Sequence, residues 1–291
     1  MATLSANKAA QKKLPPIKMR FKKREDITLD ECLGMYELFK VYYKNTPFEQ
    51  FLEDFSNKTG AHIAKRKTDG KVVGFSTGVA RTIDVDGKPT RILFSGDTVM
   101  SKEYWGTKAF PMSFFLWLLG ERLRHPTLPM YWFLISMGYR TYLILANNFY
   151  KYYPNIDGDD PHLKEVAFAA ADNIFPGALN RETGLLDFGD DACALSDFVT
   201  PITEKERAVP KIAFFESRNP GWHKGDEMAC VGSMDWGSFG RVLLDARRTL
   251  FKKGTRKTQK QASSAVVNHK PENIEVTVDD IYNKESDSKT A

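Results

Sequence analysis

Residues 68–88, TDGKVVGFSTGVARTIDVDGK, decide the fold. Asp69-Gly70 and Asp86-Gly87 bracket a run rich in β-branched residues, and Asp-Gly supplies the positive φ angles that a tight hairpin turn needs. The two turns predict three antiparallel strands, over residues 61–67, 72–85 and 90–100. Gly96 interrupts the third, which predicts a bulge or a close approach to the backbone.

Towards the N-terminus, residues 17–24 alternate apolar side chains (Ile17, Met19, Phe21) with basic ones, the period of a half-exposed strand. Thr28 with Glu31 three residues on makes a capping box, and Leu29, Cys32, Leu33, Tyr36, Phe39 and Tyr43 continue as the apolar face of a helix ending near Asn45. Pro47 opens a second helix over 48–55.

Towards the C-terminus, Pro111 opens a helix to about Arg124 that is apolar nearly all round, so burial on several sides is expected. A strand over 130–135 and a helix over 139–153 follow. Residues 155–210 read as an insertion with one helix, 162–174. A strand at 211–217, a loop from Arg218 to Asp226, a strand at 227–234 and a helix at 236–251 complete the pattern. The two late strands are expected to form a hairpin. The fold class is thus α/β with a mixed sheet in a single domain over 17–251, between a disordered basic N-terminus, 1–16, and a disordered tail, 252–291.

The net charge of +5 lies at the ends. Residues 1–24 carry eight basic side chains and no acid, and 251–270 carry six and no acid, which leaves the body mildly acidic. A nucleic-acid groove in the folded body is therefore not expected. Cys32, Cys193 and Cys230 are too few and scattered for a disulfide framework or a metal site, which fits a reducing, cytoplasmic setting. No secretory signal is read at the N-terminus, because Leu14-Pro-Pro-Ile-Lys runs straight into charge. No zinc, P-loop or serine-hydrolase pattern appears.

A three-strand meander, a long apolar helix, a strand and a helix ending in tyrosines, with a later hairpin, resembles the fold of the GNAT acyltransferase superfamily. The resemblance covers about 17–153 and 211–234. It implies that 90–100 is the family's fourth strand and 130–135 its fifth, which splay apart to admit an acyl thioester. It also implies that the donor meets Val99, Met100, Trp105, Gly106, Thr107 and Lys108. A helix start with a glycine turn is an anion site in its own right, through unpartnered N–H groups and the helix dipole. Yet the family's Arg/Gln-x-x-Gly-x-Gly/Ala pattern fits no register here: Tyr104-Trp105-Gly106 sets Trp105 on the arginine. That departure points to a donor presenting pantetheine without a nucleotide, as acyl-carrier protein does, although acyl-CoA stays open. The aromatic load of Phe114, Phe115, Trp117, Trp132 and Phe133 suits a long acyl chain.

Acyl transfer to a small amine needs an acid for the thiolate and a base for the amine proton. For the acid the resemblance points to Tyr150, Tyr152 or Tyr153, with Tyr153 preferred. For the base, Asp97 and Glu216 are the best placed carboxylates. Arg218, Trp222 and His223 sit in a loop suited to clamp an acceptor's carboxylate or phosphate. Two other classes compete: a non-catalytic binding module, and a peripheral membrane protein using 110–119 and the basic ends on anionic lipid.

Overall fold

The alternation of residues 17–24 becomes strand β1 (Ile17–Lys23), and the Thr28 capping box opens helix α1 (Leu29–Tyr42). The Glu31 N–H donates to Thr28 Oγ1 at 3.3 Å, and the Thr28 N–H donates to Glu31 Oε2 at 3.0 Å. The same carboxylate takes Lys22 at 2.6 Å and Lys65 at 3.2 Å, so one residue ties two strands to α1. Burial pushes this carboxyl up, but Lys22, the Thr28 N–H and Lys65 outweigh it and hold it at about 2. Helix α2 (Phe48–Ser56) follows.

The two Asp-Gly turns join β2 (Gly60–Arg66), β3 (Val72–Val85) and β4 (Lys88–Met100) as an antiparallel meander. Helix α3 (Ala109–Arg124) crosses over to β5 (Met130–Ser136), which pairs with β4 in parallel. Next come α4 (Tyr139–Asn148), β6 (Tyr152–Tyr153), α5 (Pro161–Ile174), β7 (Leu179–Asn180) and β8 (Leu185–Leu186). Helices α6 (Glu204–Arg207) and α7 (Pro210–Arg218) lead to β9 (Glu227–Ser233). The computed structural model describes residues 14–43, 47–189 and 202–237. Within them the sheet order is β1-β2-β3-β4-β5-β9-β8-β7, with β6 also paired to β9.

Helices lie on both faces. Phe75 and Val79 share one face of β3: the first packs with Met35, Phe39, Phe51 and Phe55 of α1 and α2, the second with Leu163, Val166 and Phe168 of α5. The other face carries Leu93, Trp132, Leu134 and Cys230 against α3, α4 and α7.

The structure departs from the sequence expectation at three elements. Residues 211–217 are helical, not a strand, so β9 is flanked by β5, β6 and β8. Pro210 sits in the first turn of α7, and Ile212 and Phe215, three apart, are its buried face. Helix α4 stops at Asn148, because Tyr152 and Tyr153 pair with Gly232 and Val231 of β9. Helix α3 is buried on one side only: Met112, Leu116 and Leu123 are 59, 58 and 61% exposed. It lies on one face of the sheet, and no second layer covers its outer row among the described residues. Of the helix expected over 236–251 only the first two residues are described, and Cys193, residues 1–13 and the tail 252–291 lie outside the described residues.

Gly60 of β2 lies close against the backbone of β1. A Cβ there would stand 2.1 Å from the Lys22 carbonyl oxygen and 2.9 Å from Lys23 Cα, which are backbone atoms. Gly60→Ala is expected to prise the pair apart and cost about 1–3 kcal/mol, read as a lower urea midpoint with an unchanged slope.

Candidate active site

Strands β4 and β5 pair only from Arg91↔Met130 to Phe94↔Phe133. Beyond that point residues 95–100 pair with β3 alone, and Leu134, Ile135 and Ser136 with β9 alone. The strands part, and their facing edges offer backbone N–H and C=O groups to an extended chain that carries amides. At the crotch Trp132 Nε1 donates to Ser95 Oγ at 3.2 Å. The Trp132 ring lies 5.1 Å from Phe114 and 5.2 Å from Phe149, which closes the α3 side.

The other face is acidic. Ser76 pairs with Thr98 and Thr77 with Gly96, so Asp97 is the extra residue of a bulge, with φ at +23°. Its carboxylate accepts from Thr77 Oγ1 at 3.0 Å. A Cβ on Gly96 would meet the Phe94 ring at 2.8 Å, which explains the glycine that foretold the bulge. Glu227 opens β9 opposite Leu186 and keeps part of its surface in solvent. Burial, and after it the charge of Asp97, push its carboxyl up to about 7. Asp54 on α2 is raised as well, by burial first, with Lys58 opposing and Asp97 adding to the rise. Three carboxylates from α2, β4 and β9 thus share one field.

The turn from 101 to 108 is folded on itself. The Met100 carbonyl accepts from Trp105 Nε1 at 2.8 Å and from the Tyr42 hydroxyl at 2.7 Å. Gly106 takes φ +76°. The N–H groups of Tyr104, Trp105 and Thr107 are used by the carbonyls of Ser101, Lys102 and Tyr104, and Pro111 has no N–H. Lys108 stands at the helix N-cap, and Phe110 packs on His62 of β2 with ring centroids 5.8 Å apart. Val99 is in the α1–α2 core. The turn's own carbonyls thus take up three of the N–H groups that an anion site there would use.

Tyr153 lies on β6, with β9 and β5 between it and the parting, so the structure does not bring it to Asp97. Arg218 Nη2 donates to its hydroxyl at 3.4 Å and pairs with Asp159 at 2.9 Å. Burial raises the Tyr153 phenol and Arg218 opposes that. Glu216 is on α7 in a two-bond pair with Arg207, at 2.8 and 2.9 Å, which holds its carboxyl below the ordinary range. Trp222 and His223 form one turn, with rings 5.8 Å apart. Asn219, fully buried, donates to the carbonyls of Asp226 at 2.7 Å and Ser136 at 3.4 Å, tying this loop to the open end of β5.

Two groups escaped the sequence reading. Glu227 has no local signal, because its environment comes from β8 and Asp97. His62 has none either: it is 0% exposed, boxed by Phe21, Phe110, Phe114 and Trp117, with Nδ1 2.9 Å from Ser113 Oγ. Burial lowers its imidazole to about 4. No group of three metal-ligating side chains occurs among the described residues, and none of their helices is long and apolar enough to cross a membrane.

No family model and no curated protein matches the chain. Several solved structures are similar to it. One is a conserved protein of unknown function from Enterococcus faecalis V583, described as a probable N-acyltransferase (TM-score 0.36, 13% identity, 46% of this chain and 32% of that one). Another is an acetyltransferase from Trypanosoma brucei (0.33, 14%, 45% and 91%). A third is a GNAT family N-acetyltransferase from Escherichia coli in complex with CoA (0.32, 14%, 42% and 64%). The chain spans less than two thirds of the length of the first and third of these proteins. The meander, the parallel β4–β5 pair and the parting beyond it stand where the resemblance read from the sequence implies them.

Proposed function

We propose that the protein transfers an acyl group from a thioester to the amine of a small molecule. The parting of β4 and β5 beyond Phe94 and Phe133 is the observation that carries this reading. A pantetheine arm is extended and bears amides, so the two open edges suit it, and the self-bonded turn favours a donor on acyl-carrier protein over acyl-CoA. The aromatic wall of Phe114, Trp132 and Phe149 suits an acyl chain longer than acetyl.

The acidic side of the parting receives the acceptor. Asp97 and Asp54 attract an ammonium group, and Glu227, held near neutrality, takes the proton that frees the amine lone pair. The amine nitrogen then bonds to the thioester carbonyl carbon, the carbon–sulfur bond breaks, the proton held by Glu227 passes to the departing thiolate, and Glu227 takes the second proton that the nitrogen sheds and releases it to water. Amide and free thiol are the products. The loop of Arg218, Trp222 and His223, anchored to the end of β5 by Asn219, holds the distal end of the acceptor. Thiol release from carrier-bound and CoA-bound thioesters of graded chain length, against a panel of amines, is the direct test. Release is expected with at least one long-chain donor; no release, together with no thioester retained in native mass spectrometry, overturns the reading.

A second reading draws on the exposed Met112, Leu116 and Leu123 row of α3: contact with a membrane surface. Flotation with anionic liposomes is expected to fall when Leu116 and Leu123 are both replaced by Ser; flotation of neither protein removes this reading.

A further inference from the structure

β1 is an open edge. Its bonds to β2 end with the Lys67 N–H on the Pro16 carbonyl and the Arg24 N–H on the Thr59 carbonyl. Even-numbered residues therefore face β2, and the N–H and C=O groups of Ile17, Met19, Phe21 and Lys23 point off the sheet. No strand pairs with that edge among the described residues. The side chains alternate as well. Ile17, Met19 and Phe21 lie on the α3 face, where they are only half-buried, with Phe21 stacked on Trp117. Lys18, Arg20 and Lys22 lie on the α1 face, where Lys22 reaches Glu31.

One stretch of the C-terminal tail is the complement of this strand. Residues 274–279 read Ile-Glu-Val-Thr-Val-Asp, with apolar β-branched residues at 274, 276 and 278 and acids at 275 and 279. This is strand periodicity within a tail whose composition otherwise argues for disorder. We propose that residues 274–279 add to the free edge of β1 as a further strand of the sheet. In any register that keeps the alternation, Ile274, Val276 and Val278 extend the apolar row of Ile17, Met19 and Phe21, while Glu275 and Asp279 meet the basic row of Lys18, Arg20 and Lys22. A slip of one residue sets acids on the apolar face, so the register parity is specified. The reach is ample. From β9 to β1 is five strand spacings, about 24 Å. The 37 residues from Gly237 to Asn273 have a coil span of about 33 Å. A tether of that length holds the strand at high effective concentration. The strand covers an edge that basic side chains alone protect against pairing with other chains.

Residue-resolved amide exchange on the full chain and on a chain ending at Lys270 tests this. The Met19 and Phe21 amides are expected to exchange at least about tenfold more slowly in the full chain, while Arg20 and Lys22, bonded to β2, exchange alike in both and report that the shortened chain is folded. Val276→Lys in the full chain is expected to release Met19 and Phe21 as truncation does. Arg20→Glu is expected to weaken their protection and its combination with Glu275→Arg to restore it. Equal exchange of Met19 and Phe21 in the two chains overturns the proposal. Protection that fades on dilution overturns it too, because it assigns the added strand to a second copy.

Discussion

Glu227→Gln is expected to lower the rate of acyl transfer by about 10²–10⁴-fold and, in the same protein, to raise stability at alkaline pH. The two effects share one cause. Burial and Asp97 lift the Glu227 carboxyl from 4.5 to about 7, so the folded state holds a proton that the unfolded chain has released between those values. Stability therefore falls as pH rises from 4.5 to 7, by about 3 kcal/mol in all. The amide cannot ionise, so the variant escapes that loss above pH 7 and gains nothing below 4.5. His62 works in the opposite sense. Its imidazole falls from 6.5 to about 4 on burial, so its contribution is complete above pH 6.5 and is lost as pH drops to 4. In the wild type the two slopes oppose each other across the range they share, and stability changes little there. In Glu227→Gln the His62 slope stands alone, and the unfolding midpoint climbs from pH 4 to 6.5 and then holds. Denaturant midpoints from pH 4.5 to 8.5 for both proteins show this; parallel curves would refute the buried, charge-coupled state of Glu227. Transfer that stays at the wild-type level would remove Glu227 as the base.

These contrasts mark what a sequence can carry. Asp69-Gly70, Asp86-Gly87 and the Thr28–Glu31 box act within a few residues, and each was legible and stands where expected. Gly96 also signalled its bulge, though the consequence, an Asp97 turned into the left-handed region, is a property of the pairing with β3. Residues 211–217 misled because Ile-Ala-Phe-Phe is too short to separate a period of two from one of 3.6, and Tyr142 of α4, which settles it by packing on Phe214 and Phe215, is far away in the chain. Tyr152 and Tyr153 left the helix for the same kind of reason, since their partner strand lies some eighty residues on. The site divides along this line. The meander and its carboxylate at Asp97 are local, whereas the Glu227 environment and the distance of Tyr153 from the parting exist only once β9 lies between β5 and β8.

Trp132→Ala is expected to cost about 3–5 kcal/mol, the largest loss of any single truncation near the site. The ring is 6% exposed between Phe114 and Phe149, and its N–H on Ser95 Oγ links β5 to the residue of β4 just past their last backbone pair. Trp132→Phe separates the two contributions. It keeps most of the ring contact with Phe114 and Phe149 and gives up the hydrogen bond, so its cost is expected to be near 1 kcal/mol, and Ser95→Ala is expected to match it. Because those two variants break the same bond, their combination costs no more than either alone, and an additive loss in that double-mutant cycle would show that the indole and the hydroxyl act separately. The bond also sets where the strands begin to diverge. If it fixes the depth of the parting, Trp132→Phe weakens donor binding, seen as a higher KM for the thioester, while kcat, which the proposed mechanism assigns to Glu227 on the opposite face, is retained. A fall in kcat with KM unchanged would instead place the reacting carbonyl against Trp132 and move the chemistry to the α3 side of the sheet.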